Sequence, residues 1–393
     1  MENNLENTTN NNKINIEYSQ FDSERMRLNA GPQHPSTHGV LRLEVELDGE
    51  IVTDIIPHLG YLHRCFEKHC ENSNYNQIVP FVDRLDYVSA INNEFPYVMA
   101  VEKLAGIEVS EKVQILRAMC AEINRIANHL LAISAFGLDS GAFTPLLFLF
   151  REREFALGIL EKLSGARLLY NYFCPGGVRY EIYSDFKKDV KVFIDSVRLA
   201  MKEMEDLLIF NDIFIKRTEK IGLLPKEVAI NFACSGPVAR GSGINFDIRK
   251  SAPYSSYDKF DFDIPVVEPG KEVVGVSGDC WSRNWVRVKE IEESCKILEQ
   301  GITLLPDEGS VTDGIPKKLK VPAGEVYCKA ENTKGELGFY LVSNGSDKPE
   351  RVRARATSFV NLAILPSISK GYMFADLIMI LGSIDIVLGE VDR

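Results

Sequence analysis

The sequence predicts an α+β protein that is predominantly α-helical, with a central helix bundle and small sheets near its two ends. Three observations support this fold class. The stretch LRLEVELDGEIVTDIIP, which begins at Leu41, alternates apolar and polar residues. Long segments in the middle of the chain carry apolar residues at three- and four-residue steps. Strand-like composition returns over residues 324–356.

The alternating stretch contains the turn signal Asp48-Gly49 and is typical of a β-hairpin. From Ser110 onward the period changes to that of a helix. Its apolar positions are Val113, Leu116, Cys120, Ile123, Ala127 and Leu130. This spacing predicts a helix with one apolar face, capped by Ser110 and ended by Gly137.

The same period predicts three further helices, over residues 145–167, 185–208 and 284–300. Residues 210–283 are rich in Gly and Pro, and we expect loops over a helical core there. After the Asn344-Gly345 turn signal, arginines occupy alternate positions 351, 353 and 355, as in a strand.

The closing stretch FADLIMILGSIDIVLGEVDR predicts a buried helix followed by a tail. Two aspartates break its apolar run, which is too short to span a bilayer. Four regions are therefore predicted. They are a disordered Asn-rich tail (1–20), an N-terminal α+β region with a histidine loop (21–90), a helical bundle with long Gly/Pro-rich loops (91–302) and a C-terminal α+β region that ends in a buried tail (303–393).

Composition excludes several classes of function. A net charge of −11 argues against a nucleic-acid partner, because phosphate binding needs a basic surface. The N-terminus has no charged or apolar signal-peptide region, and the eight cysteines include no C-x-x-C pair. Scattered thiols are typical of a reducing cytosol and supply no clustered ligands for zinc or iron–sulfur. Nucleotide-binding G-x-G-x-x-G and P-loop motifs and the G-x-S-x-G elbow do not occur in the sequence.

The histidines are concentrated near the N-terminus. Five of the six are His34, His38, His58, His63 and His69, and the sixth is His129. The segment GPQHPSTHGVLR, from Gly31 to Arg42, holds two of them four residues apart. Its prolines and glycines disfavour a metal-binding helix, which leaves a surface turn or a rigid loop that presents one imidazole to a ligand. Composition alone favours the surface turn.

Six stretches carry a resemblance to a known family. They are GPQHPSTHGVLR, HLGYLHRCFEK, FVDRLDYVS, LDSGAFTPLLFLFRERE, GELGFYLVSNGSDKP and ILGSIDIVLGEVDR. In this order they resemble the quinone-proximal 49-kDa-type subunit of respiratory complex I, which is the D-type subunit of bacterial NADH–quinone oxidoreductase. The resemblance runs over residues 28–393.

The resemblance implies the fold of the nickel–iron hydrogenase large subunit. That enzyme holds its metal with cysteines in R-x-C-G-x-C and D-P-C-x-x-C motifs. The four matching positions here are Asp86, Ser89, Val387 and Glu390. Without thiolates we expect no metal site on this chain, and the related interpretation as the large subunit of an energy-converting hydrogenase fails.

In the family, the second histidine of the loop and the tyrosine of R-L-D-Y hydrogen-bond the quinone carbonyls. These residues correspond to His38 and Tyr87, and the family's aspartate that pairs with the imidazole corresponds to Asp139. The resemblance implies that the pocket is also lined by His34, Gly39, Asp86 and Val387. Quinone reduction takes up two protons, which a histidine (pKa about 6.5) and a tyrosine (pKa about 10) can supply.

The chain itself is expected to bind no cofactor; the quinone is a substrate. The electrons would come from a [4Fe–4S] cluster on a partner subunit, with Arg64 and Arg84 placed against it. NADH would bind on another chain. The implied partners are the cluster-bearing B-type subunit, the C-type and I-type subunits, and the H-type subunit of the membrane arm. The complex would sit at the cell inner membrane, with this chain peripheral on the cytoplasmic side. Quinol formation would rearrange the Gly31–Gly39 loop and drive proton translocation.

Three residues depart from the family pattern. Cys65 stands where relatives usually have glycine, Leu169 where many have a histidine near the cluster, and Ile386 where proline is usual. His58 and His63 are interpreted as structural. Two alternatives stay open: a non-catalytic scaffold subunit of the same complex, and a homologous complex fed by ferredoxin or reduced F420.

Overall fold

The computed structural model describes residues 15–18, 25–33, 38–316 and 319–393. His34 and most of the predicted tail over residues 1–20 lie outside these ranges. Half of the chain is helical and 14% is strand, which confirms the α+β class. No helix in the described ranges combines the length and the apolar character that crossing a membrane requires.

A four-stranded antiparallel sheet forms the N-terminal part. Its strands, in sheet order, are β1 (Asn15–Tyr18), β2 (Arg25–Ala30), β3 (Arg42–Asp48) and β4 (Ile51–His58). β3 and β4 are the predicted hairpin, with Asp48 opposite Ile51 and the turn at Gly49. Alternate residues of β3 are buried, as a sheet with one face on the core requires.

Helices and one short hairpin make up the middle of the chain. They are α1 (Phe66–Asn72), α2 (Tyr75–Val82), α3 (Ala90–Ala105), α4 (Glu111–Asp139), α5 (Thr144–Ser164), β5 (Phe173–Cys174), β6 (Gly177–Val178), α6 (Phe186–Met204), α7 (Asp212–Thr218), α8 (Lys226–Asn231), α9 (Gly236–Gly241), α10 (Ile248–Ser251) and α11 (Cys280–Leu304). A π-helical turn (Glu205–Ile209) extends α6, and a 3₁₀ turn spans Tyr257–Lys259. α4, α5, α6 and α11 pack against one another as a bundle.

The four predicted bundle helices are confirmed, with shifted ends. The Ser110 hydroxyl accepts a hydrogen bond from the Val113 amide and caps α4 as predicted. The predicted end at Gly137 is wrong, because α4 continues to Asp139. A Cβ at Gly137 would lie 3.1 Å from a Leu208 methyl carbon, so this glycine allows close packing inside the helix.

Two parts of the sequence prediction are corrected. No helices were predicted at the positions of α1, α2 and α3, and residues 210–283, expected as loops, contain α7 to α10. α3 carries Pro96 in its interior and is buried on nearly all sides. A helix that is buried all round has no polar face, so its period is invisible in the sequence.

The C-terminal part combines a three-stranded antiparallel sheet with four helices. They are β7 (Gly324–Asn332), β8 (Gly335–Ser343), β9 (Arg351–Arg355), α12 (Thr357–Leu362), α13 (Leu365–Ser369), α14 (Phe374–Ile384) and α15 (Leu388–Asp392). The predicted strands and the predicted buried helix, α14, are confirmed. The segment expected to be a tail is the short buried helix α15.

The two ends of the chain meet. The Val52 amide donates to the Tyr372 carbonyl at 2.9 Å, and the Arg64 amide donates to the Arg393 carbonyl at 3.1 Å. α3 packs against β7 and β8, so the C-terminal sheet also lies on the helical core. The predicted region boundaries and the hydrogenase-like relationship stay predictions.

An ion-pair network lies inside the bundle. Its fully buried members are Glu122, Arg125, Arg240, Asp247, Arg249, Glu290 and Glu331. The closest pair joins Arg240 to Glu290 at 2.6 Å. Buried charges are tolerated only when they are paired and hydrogen-bonded. Glu331 lies near the end of β7, so the network extends to the segment next to the candidate site described below.

Candidate functional site

His38 and Asp139 form the first part of the site. His38 adopts a left-handed backbone conformation (φ 53°) after the undescribed residues 34–37, and Asp139 is the last residue of α4. The imidazole Nε2 lies 2.7 Å from Asp139 Oδ2. Burial alone would lower the pKa of His38, but the hydrogen bond and charge of Asp139, with the charge of Asp385, raise it. The pair therefore favours an imidazolium.

α14 packs closely against the His38–Asp139 pair. A Cβ at Gly382 would lie 2.8 Å from Asp139 Oδ2 and 3.3 Å from His38 Nε2. The first distance is shorter than real Cβ contacts allow. Glycine at this position therefore lets α14 approach the imidazole and the carboxylate closely.

Tyr87 and Asp86 form the second part of the site, in the loop between α2 and α3. Asp86 is fully buried, whereas Tyr87 is 39% exposed. No hydrogen bond ties the Tyr87 hydroxyl to the described residues. Burial and the charge of Asp86 raise the pKa of Tyr87, and the charges of Lys334 and Arg64 partly oppose this effect. The Tyr87 phenol is thus a weaker acid than a free tyrosine, and its side chain is partly exposed at the surface.

Lys334 connects the two parts. Its ammonium lies 3.0 Å from Asp86 Oδ2 and 3.7 Å from Asp385 Oδ2. It donates a hydrogen bond of 2.7 Å to Asn128 Oδ1. Asp385 ends α14 and raises the pKa of His38, while Asp86 raises that of Tyr87. The buried Lys334 ammonium thus lies close to the carboxylate that raises the pKa of Tyr87 and to the carboxylate that raises the pKa of His38.

The segment around α15 closes the site. The Leu388 side chain would lie 3.4 Å from a Cβ at Gly39, so the backbone at Gly39 packs against α15. Val387 is buried, and its amide donates to the Ser358 hydroxyl at 3.3 Å. Whether these residues contact a quinone stays a prediction.

The four positions predicted to match hydrogenase cysteines contact protein groups here. Asp86 pairs with Lys334, and the Ser89 hydroxyl donates to Asn332 Oδ1 at 2.8 Å. Glu390 accepts hydrogen bonds from the Ser358 amide and hydroxyl. Across the residues that the structure describes, no group of three or more His, Cys, Asp or Glu side chains is placed to hold a metal ion.

Arg64 and Arg84 lie beside Tyr87 at the surface. One nitrogen of the Arg64 guanidinium donates to the carbonyls of Arg84 and Gly389, and Arg84 donates to the Pro80 carbonyl. Within the described ranges neither side chain has a carboxylate at ion-pairing distance. Burial and the neighbouring Arg84 lower the pKa of Arg64. Two exposed cations without an internal counter-ion suit an anionic group on a partner.

Two comparisons with known proteins bear on this chain. The family model described as respiratory-chain NADH dehydrogenase, 49 Kd subunit, matches residues 139–318 and 311–393. The D-type subunit of NADH-quinone oxidoreductase from Chlorobaculum tepidum is 52% identical over 384 residues, which are 97% of this chain and 95% of that protein. The chain belongs to this 49-kDa subunit family.

Two further relatives extend the match. The D-type subunit of Pelodictyon phaeoclathratiforme is 52% identical over 389 residues, covering 98% of this chain and 96% of that protein. A D-type subunit of Cytophaga hutchinsonii is 51% identical over 375 residues, covering 93% and 95%. The predicted family is confirmed, and the chain is a subunit of an oxidoreductase complex, as members of the 49-kDa subunit family are.

The remaining described histidines of this family member have partners within the chain. His58 lies 3.2 Å from Glu44, and the His63 ring lies 2.7 Å from the Asp392 carbonyl. His69 stacks on Phe81. His129 is fully buried, with Nε2 2.8 Å from Glu290. His34 lies outside the described residues, so its predicted place in the pocket stays a prediction.

The three departures from the family pattern lie in different surroundings. Cys65 precedes α1 with φ 56°, a conformation that favours glycine. Its side chain lines an open surface cavity of about 650 Å³ beside Phe359, so the extra bulk is accommodated. Leu169 also has a positive φ of 58°, and Ile386 is buried next to the site.

Sequence reasoning missed two residues of the site, Lys334 and Asp385. Asp385 falls within the stretch ILGSIDIVLGEVDR, and no role was predicted for it. Lys334 lies in the sequence ENTKGE between two strands. A lysine at a hairpin turn is ordinarily solvated, so its local sequence gives no sign that it is buried.

Proposed function

We propose that this chain, together with a [4Fe–4S]-bearing partner subunit, forms the pocket in which a quinone is reduced to quinol in a proton-pumping NADH–quinone oxidoreductase. The observation that carries the proposal is a pair of proton donors in different surroundings. His38 is held by Asp139, and Tyr87 presents a half-exposed hydroxyl without a hydrogen bond from the described residues. The names of the relatives support the reaction class.

The two donors suit the two proton transfers. Reduction adds two electrons to the quinone, and each carbonyl oxygen then accepts one proton. The His38 imidazolium can give one, because Asp139 and Asp385 raise the pKa of the ring and so favour its protonated form. The Tyr87 phenol has a raised pKa, so it gives its proton only to the strongly basic, doubly reduced quinone. Both groups are afterwards recharged from solvent.

The electrons would come from the partner's cluster. Arg64 lies close to both Tyr87 and Arg84, and the two arginines are exposed and have no internal counter-ion in the described ranges. Positive charge beside a cluster stabilises its reduced, more negative form and raises its potential. We place the partner's cluster against these arginines, within short reach of the quinone head.

The wider assembly follows from the same proposal. The cluster-bearing partner would be the B-type subunit, with the C-type and I-type subunits and the H-type subunit of the membrane arm as neighbours. NADH would bind on another chain of the complex. The chain would lie peripherally on the cytoplasmic side of the cell inner membrane, and quinol formation would drive proton translocation in the membrane subunits.

The test is NADH:quinone reductase activity in membranes that carry Tyr87→Phe. This change removes one hydroxyl and keeps the ring, so assembly should stay normal on a native gel. We expect quinone reduction to fall at least about tenfold, while electron transfer from NADH to a cluster-reducing artificial acceptor is unchanged. Tyr180→Phe, at a 56% exposed tyrosine away from the site, is the matched control.

Wild-type quinone kinetics in the Tyr87→Phe complex would contradict this role for Tyr87. The scaffold alternative would then gain support, because a scaffold subunit keeps quinone reductase activity after any change that leaves assembly intact. Loss of both quinone and acceptor activity would indicate damage to the partner's electron path instead.

A further inference from the structure

The turn between β7 and β8 lies inside the protein. Asn332 pairs with Gly335, so the turn consists of Thr333 and Lys334 alone, and both residues are buried. Turns normally lie at the surface, where water satisfies their polar groups. A buried turn with a lysine at its tip is therefore an unusual arrangement, and it places one charge at a defined point.

Several contacts fix this turn. The Arg125 guanidinium donates to the carbonyls of Glu331 (2.7 Å) and Asn332 (3.1 Å). The Asn332 side-chain amide donates to Asn93 Oδ1 at 2.8 Å and accepts from the Ser89 hydroxyl. The tip is thus tied to α4, to α3 and to the loop that holds Tyr87, so the position of the lysine follows from the packing.

Two carboxylates face the Lys334 ammonium, the fully buried Asp86 and the partly buried Asp385. Asp86 Oδ2 has no hydrogen bond from the described residues and faces Lys334 at 3.0 Å. Asp385 Oδ2 is likewise unsatisfied among those residues, with Lys334 at 3.7 Å and Arg287 at 3.8 Å. Removing one partner of a buried pair leaves an uncompensated charge, which is far more costly than losing a surface pair.

We propose that Lys334 is a positioning residue, whose ammonium keeps Asp86 and Asp385 ionised and thereby sets the charge that Tyr87 and His38 experience. The kinetic effect of Lys334 rests on the proposed quinone chemistry. Its role as the counter-ion of Asp86 and Asp385 does not depend on that chemistry. The ammonium thus opposes protonation of both carboxylates, so that they compete less with the imidazole and the phenol for protons.

Other charged groups surround these three side chains. They are Glu390 on α15, Arg287 on α11, His129 on α4, His38 and Tyr87. Burial lowers the pKa of Lys334, but Asp385, Asp86 and Glu390 together raise it. Burial raises the pKa of Asp86 even with Lys334 present. Without the ammonium, Asp86 is therefore the carboxylate expected to take up a proton first.

The experiment uses the assembled complex with Lys334→Met and Lys334→Arg. In Lys334→Met we expect kcat for quinone reduction to fall at least about tenfold, with acceptor activity unchanged and a new ionisation in the pH profile. Lys334→Arg keeps the cation and should retain the wild-type pH profile. Lys348→Met, at an exposed lysine in the next turn of the same sheet, is the matched control.

A wild-type pH profile and kcat in Lys334→Met would overturn the proposal. Equal losses in the Met and Arg variants would also overturn it, because shape and not charge would then matter. If Lys334→Met fails to assemble, the double variant Lys334→Met/Asp86→Asn restores the balance of buried charge and should recover assembly on a native gel. Failure of that rescue would equally refute the counter-ion role.

The rescue also separates the two proposals. If Tyr87→Phe keeps its quinone kinetics but Asp86→Asn still rescues Lys334→Met, the quinone assignment fails while the counter-ion role holds. If Tyr87→Phe loses quinone reduction and Lys334→Met changes neither activity nor assembly, the quinone assignment stands and the counter-ion role fails.

Discussion

Replacing Gly382 by alanine would disturb the His38–Asp139 pair without removing any titratable group. The added Cβ would lie 2.8 Å from Asp139 Oδ2, which is about 0.6 Å short of ordinary contact at 3.4 Å. Either the carboxylate or α14 must move by that amount. Gly382 is helical, so alanine has no backbone penalty of its own there.

The magnitude follows from two opposing effects. Alanine gains about 0.5–1 kcal/mol over glycine inside a helix. Overpacking in a tight core costs about 1–3 kcal/mol. The complex should therefore lose at most about 2.5 kcal/mol of stability and still assemble. A displacement approaching ~1 Å at a reacting group can cost about a hundredfold in rate, so we expect kcat for quinone reduction to fall about ten- to a hundredfold.

The assay is NADH:quinone reductase activity in membranes, with assembly checked on a native gel and acceptor activity as an internal reference. Gly158→Ala is the matched control, because Gly158 also lies within a helix but a Cβ there meets no atom within 4 Å. It should keep wild-type kinetics and gain slightly in stability. If Gly382→Ala is kinetically indistinguishable from Gly158→Ala, the His38–Asp139 geometry does not control the reaction.

Three other changes have defined outcomes. Asp139→Asn should move the alkaline limb of the pH–rate profile to lower pH, because burial then lowers the pKa of His38 with less opposition. In the wild-type protein, the folding stability that the His38–Asp139 pair contributes is present below pH ~6.5. It is lost as the pH rises through the raised pKa of His38. Cys65→Gly should raise the thermal-inactivation midpoint slightly, since glycine relieves up to about 1 kcal/mol of left-handed strain. Glu122→Gln should destabilise the protein by about 3–5 kcal/mol and reduce assembly on a native gel, because it removes the carboxylate that pairs with Arg125 and one of the two that pair with Arg249.

Each of these expectations has a result that would contradict it. An unmoved alkaline limb in Asp139→Asn would show that another group supplies the titrating proton. An unchanged or lower inactivation midpoint in Cys65→Gly would show that its backbone conformation is not strained. Normal assembly of Glu122→Gln, compared with Glu325→Gln at an exposed position of β7, would show that the buried network tolerates a missing charge.

Much of the fold could be predicted where the pattern is local. The Asp48-Gly49 turn and the amphipathic period of α4 predicted their elements correctly. α3 could not be found in this way, because burial on nearly all sides removes the polar face that reveals a helix. Gly137 was wrongly predicted to end α4. A glycine is accommodated there because the position packs against Leu208, which is distant in sequence.

The residues of the candidate site also differ in how far the sequence predicts them. Family motifs pointed to His38, Tyr87 and Asp139, and the structure brings His38 and Asp139 to 2.7 Å. The motifs contain no information about charge balance, which arises only when separate segments pack together. Lys334 and Asp385 therefore became visible only through their distances to each other and to Asp86.

The buried β7–β8 turn also has a consequence for biosynthesis. Asp86 emerges from the ribosome long before Lys334, so its carboxylate has to stay hydrated while most of the chain is still being made. Pairings between residues so far apart in sequence form late and slow the folding of a chain. The pocket can therefore mature only after the β7–β8 hairpin has been made and has packed against α3 and α4.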